Sequence, residues 1–132
     1  MRKSFSLLLL FGAVLIFTSA LNAQKLATEG MAWLSAHSEP AAVNVNGVWS
    51  EKEWGEITLN QAQGSRDITG TGDAWDITGV VSGRTIYLLF SGRGKVEYSA
   101  ELSFESENSL NGKYCRFLMK KDSKTKPMHM TK

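Results

Sequence analysis

The sequence predicts an all-β fold: one small antiparallel meander barrel of about eight strands, behind a signal peptide and a short irregular or helical N-terminal segment. Three observations carry that expectation. Beyond residue 42, apolar side chains recur with period two, the mark of half-buried strands. Clusters of turn-forming residues interrupt these runs every 8 to 12 residues or so, the spacing of small all-β domains. No connection between runs is long enough for a crossover helix, so sequential strands are expected to pair as hairpins, and a closed meander removes both exposed edges.

The first 23 residues read as a secretory signal peptide. Arg2 and Lys3 precede an apolar run from Leu7 to Phe17, and Thr18-Ser19-Ala20-Leu21-Asn22-Ala23 supplies small and polar residues for cleavage after Ala20 or Ala23. The run is shorter than the roughly 20 residues of a membrane-spanning helix. No cysteine adjoins either cut, which argues against a lipid anchor; a retained N-terminal anchor is the alternative. The expected location is therefore secreted or periplasmic, in the manner of a bacterial exported protein, with no transmembrane span in the mature chain.

Residues 24–42, QKLATEGMAWLSAHSEPAA, form the linker or short helical tail, with an apolar cluster at Met31, Trp33 and Leu34 and a stop at Pro40. His37 has no acidic or cysteine neighbour at ligand spacing and reads as a surface residue.

The barrel domain is assigned to 43–132, with strands near 43–50, 54–62, 66–72, 74–82, 84–91, 94–105, 110–120 and 126–131. In the first pair Gly47-Val48-Trp49 heads one strand, and Ile57, Leu59 and Gln61 share a face of the next. The third and fourth strands carry the repeated tetrapeptide of DITGTGDAWDITG, residues 67–79. A calcium β-roll needs paired glycines and aspartates over at least three copies, and a Walker-type loop needs Gly-Lys-Ser/Thr before a helix. Neither pattern is met, so Ile-Thr-Gly is read as two adjacent strands with isoleucine inward and threonine outward. The in-phase glycines Gly70, Gly72 and Gly79 mark places where strands bend or approach closely. A metal held by Asp67, Asp73 and Asp76 is the weaker alternative. TIYLLF is apolar on both faces, which predicts a strand with a covered outer side. In KVEYSAELSF, Val96, Tyr98, Ala100, Leu102 and Phe104 point one way and Lys95, Glu97, Ser99, Glu101 and Ser103 the other.

Charge divides by region. Without Arg2 and Lys3 the chain holds 13 basic and 13 acidic residues; from Lys113 onward there are seven basic residues and one acidic. Lys113, Arg116, Lys120, Lys121, Lys124 and Lys126 make a basic surface that either attracts an anionic surface or keeps an edge strand soluble. From Lys120 onward no aromatic residue interleaves with the lysines as a single-strand nucleic-acid platform requires, so no specific nucleic acid is expected. Cys115 is the single cysteine. It cannot form an internal disulfide, and it is either a small buried residue or a free thiol.

Gly47-Val48-Trp49 resembles the Gly-x-Trp signature that opens lipocalins and avidins, and Ile68-Thr69-Gly70-Thr71 resembles an early avidin-type strand end. The resemblance implies an eight-stranded barrel with an interior pocket and a tryptophan, Trp49, plugging one barrel end. The chain departs from avidins in having no tryptophan after Trp75, and from lipocalins in lacking a C-terminal helix.

Catalytic candidates are few. Cys115 and His129 lie on the last hairpin, but His129 alternates with Met128 and Met130 and so faces solvent. Glu97, Glu101 and Glu105 stand about 13 Å apart at four-residue spacing on a strand, beyond the roughly 5 to 9.5 Å of glycosidase carboxylate pairs. The expectation is a non-enzyme with no catalytic residue, metal or cofactor, whose molecular function stays undetermined. The first reading places a small apolar or amphipathic ligand inside the barrel against Trp75, Tyr98 and Phe104. The second is a solid-cored surface or interaction module that uses its loops or the basic C-terminal hairpin.

Overall fold

The computed structural model describes residues 21–132. The signal-peptide reading lies outside the described residues except for 21–23, which are helical. Eight strands follow: β1 (Gly47–Glu51), β2 (Gly55–Asn60), β3 (Asp67–Thr71), β4 (Asp76–Ser82), β5 (Thr85–Gly92), β6 (Lys95–Ser106), β7 (Ser109–Arg116) and β8 (Lys126–Thr131). Each pairs with the next as the hairpin reading predicts, and β8 returns to β1, so the meander closes. The closing seam is short, with Ser50 opposite Thr131 and Glu51 opposite Met130.

The two Ile-Thr-Gly copies pair with each other. Ile68 faces Gly79, Thr69 faces Thr78, and Gly70 faces Ile77, with both isoleucines buried and both threonines exposed. The repeat is thus an antiparallel strand pair in which each glycine accommodates the other copy's isoleucine. Inward glycines also face leucines across neighbouring strands: Leu59 opposite Gly70, Leu88 opposite Gly79, Leu102 opposite Gly112. A Cβ added at Gly70, Gly79 or Gly112 would stand 2.3, 2.4 or 2.0 Å from a backbone carbonyl oxygen of the adjacent strand. Strands therefore pass closer at these points than any side chain permits. The interior is filled by this small-to-large alternation, with Trp49, Phe90, Ile57, Leu59, Leu88, Leu102, Met128 and Met130 all fully buried. Trp49 lies wholly within this core, and its indole N–H donates to the Val45 carbonyl at 2.9 Å.

Hairpin order gives the barrel two different ends. The β1–β2, β3–β4, β5–β6 and β7–β8 connections crowd one end; the other receives the remaining turns and the incoming chain. The β5–β6 turn is a two-residue primed turn, with Arg93 at φ 55° and Gly94 at φ 75°.

The incoming chain closes the second end. Residues 39–42 clamp the β4–β5 turn: Ala42 N–H donates to the Gly83 carbonyl at 2.9 Å and Gly83 N–H to the Pro40 carbonyl at 3.1 Å. Ala41 and Val43 then pack against the core. Gln61, only 6% exposed, fastens the segment: its side-chain oxygen accepts from Val45 N–H at 2.8 Å, and its amide donates to the Val43 and Ser65 carbonyls at 3.2 and 2.9 Å. This explains why β1 begins at Gly47 rather than near residue 43. The backbone groups of Val43 and Val45 are engaged by a side chain and not by a neighbouring strand. Similarly β7 stops at Arg116, short of residue 120, because Phe117 adopts φ 58° and turns the chain out of the sheet.

A helix over 21–35, α1, covers the outer face of β4, β5 and β6. Leu34 packs with Val80, Tyr87, Leu89 and Val96, joined by Leu26, Trp33 and Leu118. This is the covered outer side that the doubly apolar TIYLLF stretch predicts. Gly30 lies so close to β5 that a Cβ there would stand 2.9 Å from Leu89 Cδ1. Past the helix, His37 stacks on Tyr87 with centroids 3.6 Å apart and planes 9° apart. No helix among the described residues is long and apolar enough to cross a membrane.

Candidate functional site

The hairpin end of the barrel, opposite the plugged end, is rimmed by aromatic side chains. Trp54 stands at its centre, presented by the tight β1–β2 connection. The Glu51 carboxylate accepts from the backbone N–H groups of Glu53 and Trp54, both at 2.6 Å, and so fixes the turn that carries the indole. Around Trp54 are Phe90 at 4.6 Å, Tyr98 at 5.1 Å, Tyr114 at 5.2 Å and Trp75 at 5.7 Å between ring centroids. The tyrosine contacts are edge-to-face, with planes at 85° and 90°, the arrangement that aligns ring edges with electron-rich faces. Trp75 is placed by the β3–β4 loop, where its carbonyl accepts from Gly72 N–H at 2.9 Å. Its ring lies over Gly92, where a Cβ would come within 3.0 Å of Trp75 Cζ3. Gly92 thus leaves the space that the indole occupies.

A shallow cleft of about 280 Å³ opens among Glu53, Trp54, Asp73, Ala74, Trp75, Tyr98 and Tyr114. A second, of about 390 Å³, adjoins it on the far side of Trp54 and shares Glu53 and Asp73, with Glu56 also on its wall. The Tyr114 hydroxyl donates to Glu53 Oε2 at 3.3 Å. Burial, and then the nearby Glu53 carboxylate, push the Tyr114 pKa above its ordinary value, so the hydroxyl stays a donor.

Of the residues singled out from sequence, Trp75 and Tyr98 meet at this mouth, with centroids 5.5 Å apart. Phe104 lies at the opposite end, beside the β4–β5 turn, under the Arg84 guanidinium at 5.2 Å. Alternation along β6 puts Tyr98 and Phe104 on one face but not at one end, and six residues of strand separate them by about 20 Å. Trp54, Tyr114, Glu53 and Asp73 complete the site. A tryptophan followed by glycine at a hairpin tip, in no phase with the core positions of β2, was the available signal for Trp54.

The basic set divides. Lys113 pairs with Glu101 at 3.7 Å and Arg116 with Glu97 at 2.8 Å, so two of the three outward carboxylates of β6 each face a cation on β7. Lys120, Lys121 and Lys124 are exposed on the β7–β8 loop, and Lys126 is exposed at the start of β8. That loop folds back over β6, where Met119 N–H donates to Ser99 Oγ at 2.8 Å. It covers Cys115, which is buried with its sulfur 3.6 Å from Ser99 Oγ. His129 is exposed between buried Met128 and Met130, as the alternation predicts. Asp67 begins β3 at the plugged end while Asp73 and Asp76 flank Trp75 at the mouth, so strand length separates them. Comparison with protein-family models, curated proteins and solved structures finds no match to this chain.

Proposed function

We propose that this chain is a non-catalytic binding protein, working outside the cytoplasm, that recognises its ligand at the aromatic mouth of a solid-cored barrel. The observation that carries the reading is the convergence of Trp54, Trp75, Tyr98 and Tyr114, from four different structural segments, at the one barrel end that the chain does not plug with its own residues 39–46. Core packing alone does not require half-buried tryptophans at hairpin tips, and aromatic faces beside carboxylates are a common recognition surface. The filled interior favours a ligand held at the rim over one enclosed by the barrel. Export is supported by the basic, apolar and small-residue order of the first 23 residues.

The test is native mass spectrometry of the protein purified gently from the periplasm or medium, wild type beside Trp54→Ala and Trp75→Ala. A stoichiometric companion held by the wild type and released from both variants supports the reading. Retention of that companion by a folded double variant overturns it. A second reading, contact with an anionic surface through Lys120, Lys121 and Lys124, is favoured by their exposure on one loop. Salt-sensitive binding to anionic vesicles, abolished by replacing these three lysines with glutamine, is its signature.

A further inference from the structure

The walls of the two clefts are acidic as well as aromatic, and this narrows the ligand class. Glu53 and Asp73 flank the rings, and no lysine or arginine lines either cleft among the described residues. Glu53 is held at the rings' edge by the Tyr114 hydroxyl. One basic group does touch the aromatic set: the Arg116 guanidinium sits 5.2 Å from the Tyr98 ring centre, but Glu97 neutralises it at 2.8 Å. The Tyr98 ring thus already accepts a cation on one side. Resting on the mouth reading above, we infer that the site takes a small organic cation of the quaternary-ammonium type.

Three physical arguments support this class. Aromatic faces carry negative potential and attract cations, most strongly when the cation sheds water at little cost. A methylated ammonium is weakly hydrated and presents apolar methyls to the rings, whereas a primary ammonium needs acceptors that ring faces do not supply. At contact range the exposed Glu53 and Asp73 carboxylates on the cleft walls favour a cation and disfavour an anion. Size agrees, because about 280 Å³ lies just below the roughly 300 to 1,000 Å³ of sites for drug-sized ligands. The dish suits a head group and not a long chain.

The experiment is a titration of the full protein, followed by the indole N–H resonances of Trp54 and Trp75. The probes are choline, its neutral tert-butyl carbon analogue, and vesicles of phosphatidylcholine or phosphatidylglycerol. The expected result is saturable movement of both resonances with choline, about tenfold weaker with the neutral analogue, a factor worth about 1.4 kcal/mol. Glu53→Gln combined with Asp73→Asn, both exposed and outside the core, is expected to weaken choline several-fold more than it weakens the neutral analogue. Binding to phosphatidylcholine but not phosphatidylglycerol vesicles assigns the cation to a lipid head group; binding of choline alone assigns it to a free solute. Equal binding of the neutral analogue overturns the cation assignment while leaving the mouth as the site. Immobile indole resonances with choline overturn it too, and the co-purification test then judges the mouth separately.

Discussion

Replacing Gln61 by methionine removes one side-chain amide and orphans three backbone groups at once. The change conserves volume closely, so the loss is polar rather than steric. In the wild type, Val45 N–H, Val43 C=O and Ser65 C=O all find their partner in this amide, which is 6% exposed. A buried backbone group left without a partner costs about 1 to 3 kcal/mol. The Val45 bond is buried and the other two are part-buried, so about 3 kcal/mol for the three together, the lower figure for each, is the upper end of the expected loss. For a domain of this size that corresponds to a fall in Tm of about 12 °C, at about 4 °C per kcal/mol. Urea unfolding followed by circular dichroism measures the change, with m expected to hold constant. Gln61→Glu sharpens the test. The introduced carboxylate still accepts from Val45 N–H but faces the Val43 and Ser65 carbonyls, so its folded-state pKa is raised above the ordinary value. The variant is then least destabilised at acid pH, with stability full below the unfolded carboxyl value of about 4.3 and lost as pH rises from there through the higher folded-state value. A loss below about 1 kcal/mol in Gln61→Met, or a pH dependence of opposite sign in Gln61→Glu, would refute the view that this amide seals the barrel end.

Other expectations follow from the same geometry. Gly112→Ala sets a Cβ 2.0 Å from the Glu101 carbonyl and 2.8 Å from Leu102 Cα; because both are backbone atoms, a loss of about 3 kcal/mol or more is expected in chemical denaturation. Leu34→Ala strips the 2%-exposed anchor of α1 from the outer face, and hydrogen exchange is expected to show loss of protection in 21–35 with the barrel strands still protected. Burial and then Glu101 raise the Tyr87 pKa, as burial and then Glu53 raise that of Tyr114, from an ordinary value of 10.0. Stability linked to both is full below pH 10 and is lost as pH rises through the folded-state values, so tyrosinate absorbance is expected to lag behind that of Tyr87→Phe controls in the number of late-titrating groups. Gly92→Ala is expected to displace the Trp75 indole, read as a shifted indole resonance and altered fluorescence with little change in the Tm.

Period-two patterning determined most of this fold by itself. KVEYSAELSF, the paired Ile-Thr-Gly stretches and the doubly apolar TIYLLF specify which side chains face inward, because alternation along a strand is a local property of the backbone. Those stretches also indicated that inward glycines mark close strand approach and that β5 carries a covered outer face. What covers that face was not legible, since Leu26, Trp33 and Leu34 become one apolar stripe only once 21–35 is helical and laid across β4 to β6. Nor was the division of the barrel into a plugged and an open end. Gln61 reads in sequence as one more residue in phase with Ile57 and Leu59, yet closure brings it to Val43 and Val45, where its amide takes the place of a strand partner.

The candidate site shows the same boundary. Tyr98 and Phe104 share a face by local periodicity, but position along the barrel axis depends on how every strand is staggered against its neighbours, and that stagger places them at opposite ends. Trp54, Trp75, Tyr98 and Tyr114 are spread over some sixty residues of chain. The sequence alone determined the strands, their faces and the small-to-large character of the interior. Only the tertiary structure decided that the interior is full, that one end is sealed and that the aromatic residues gather at the other, because these depend on contacts between residues distant in the chain that local pattern does not encode.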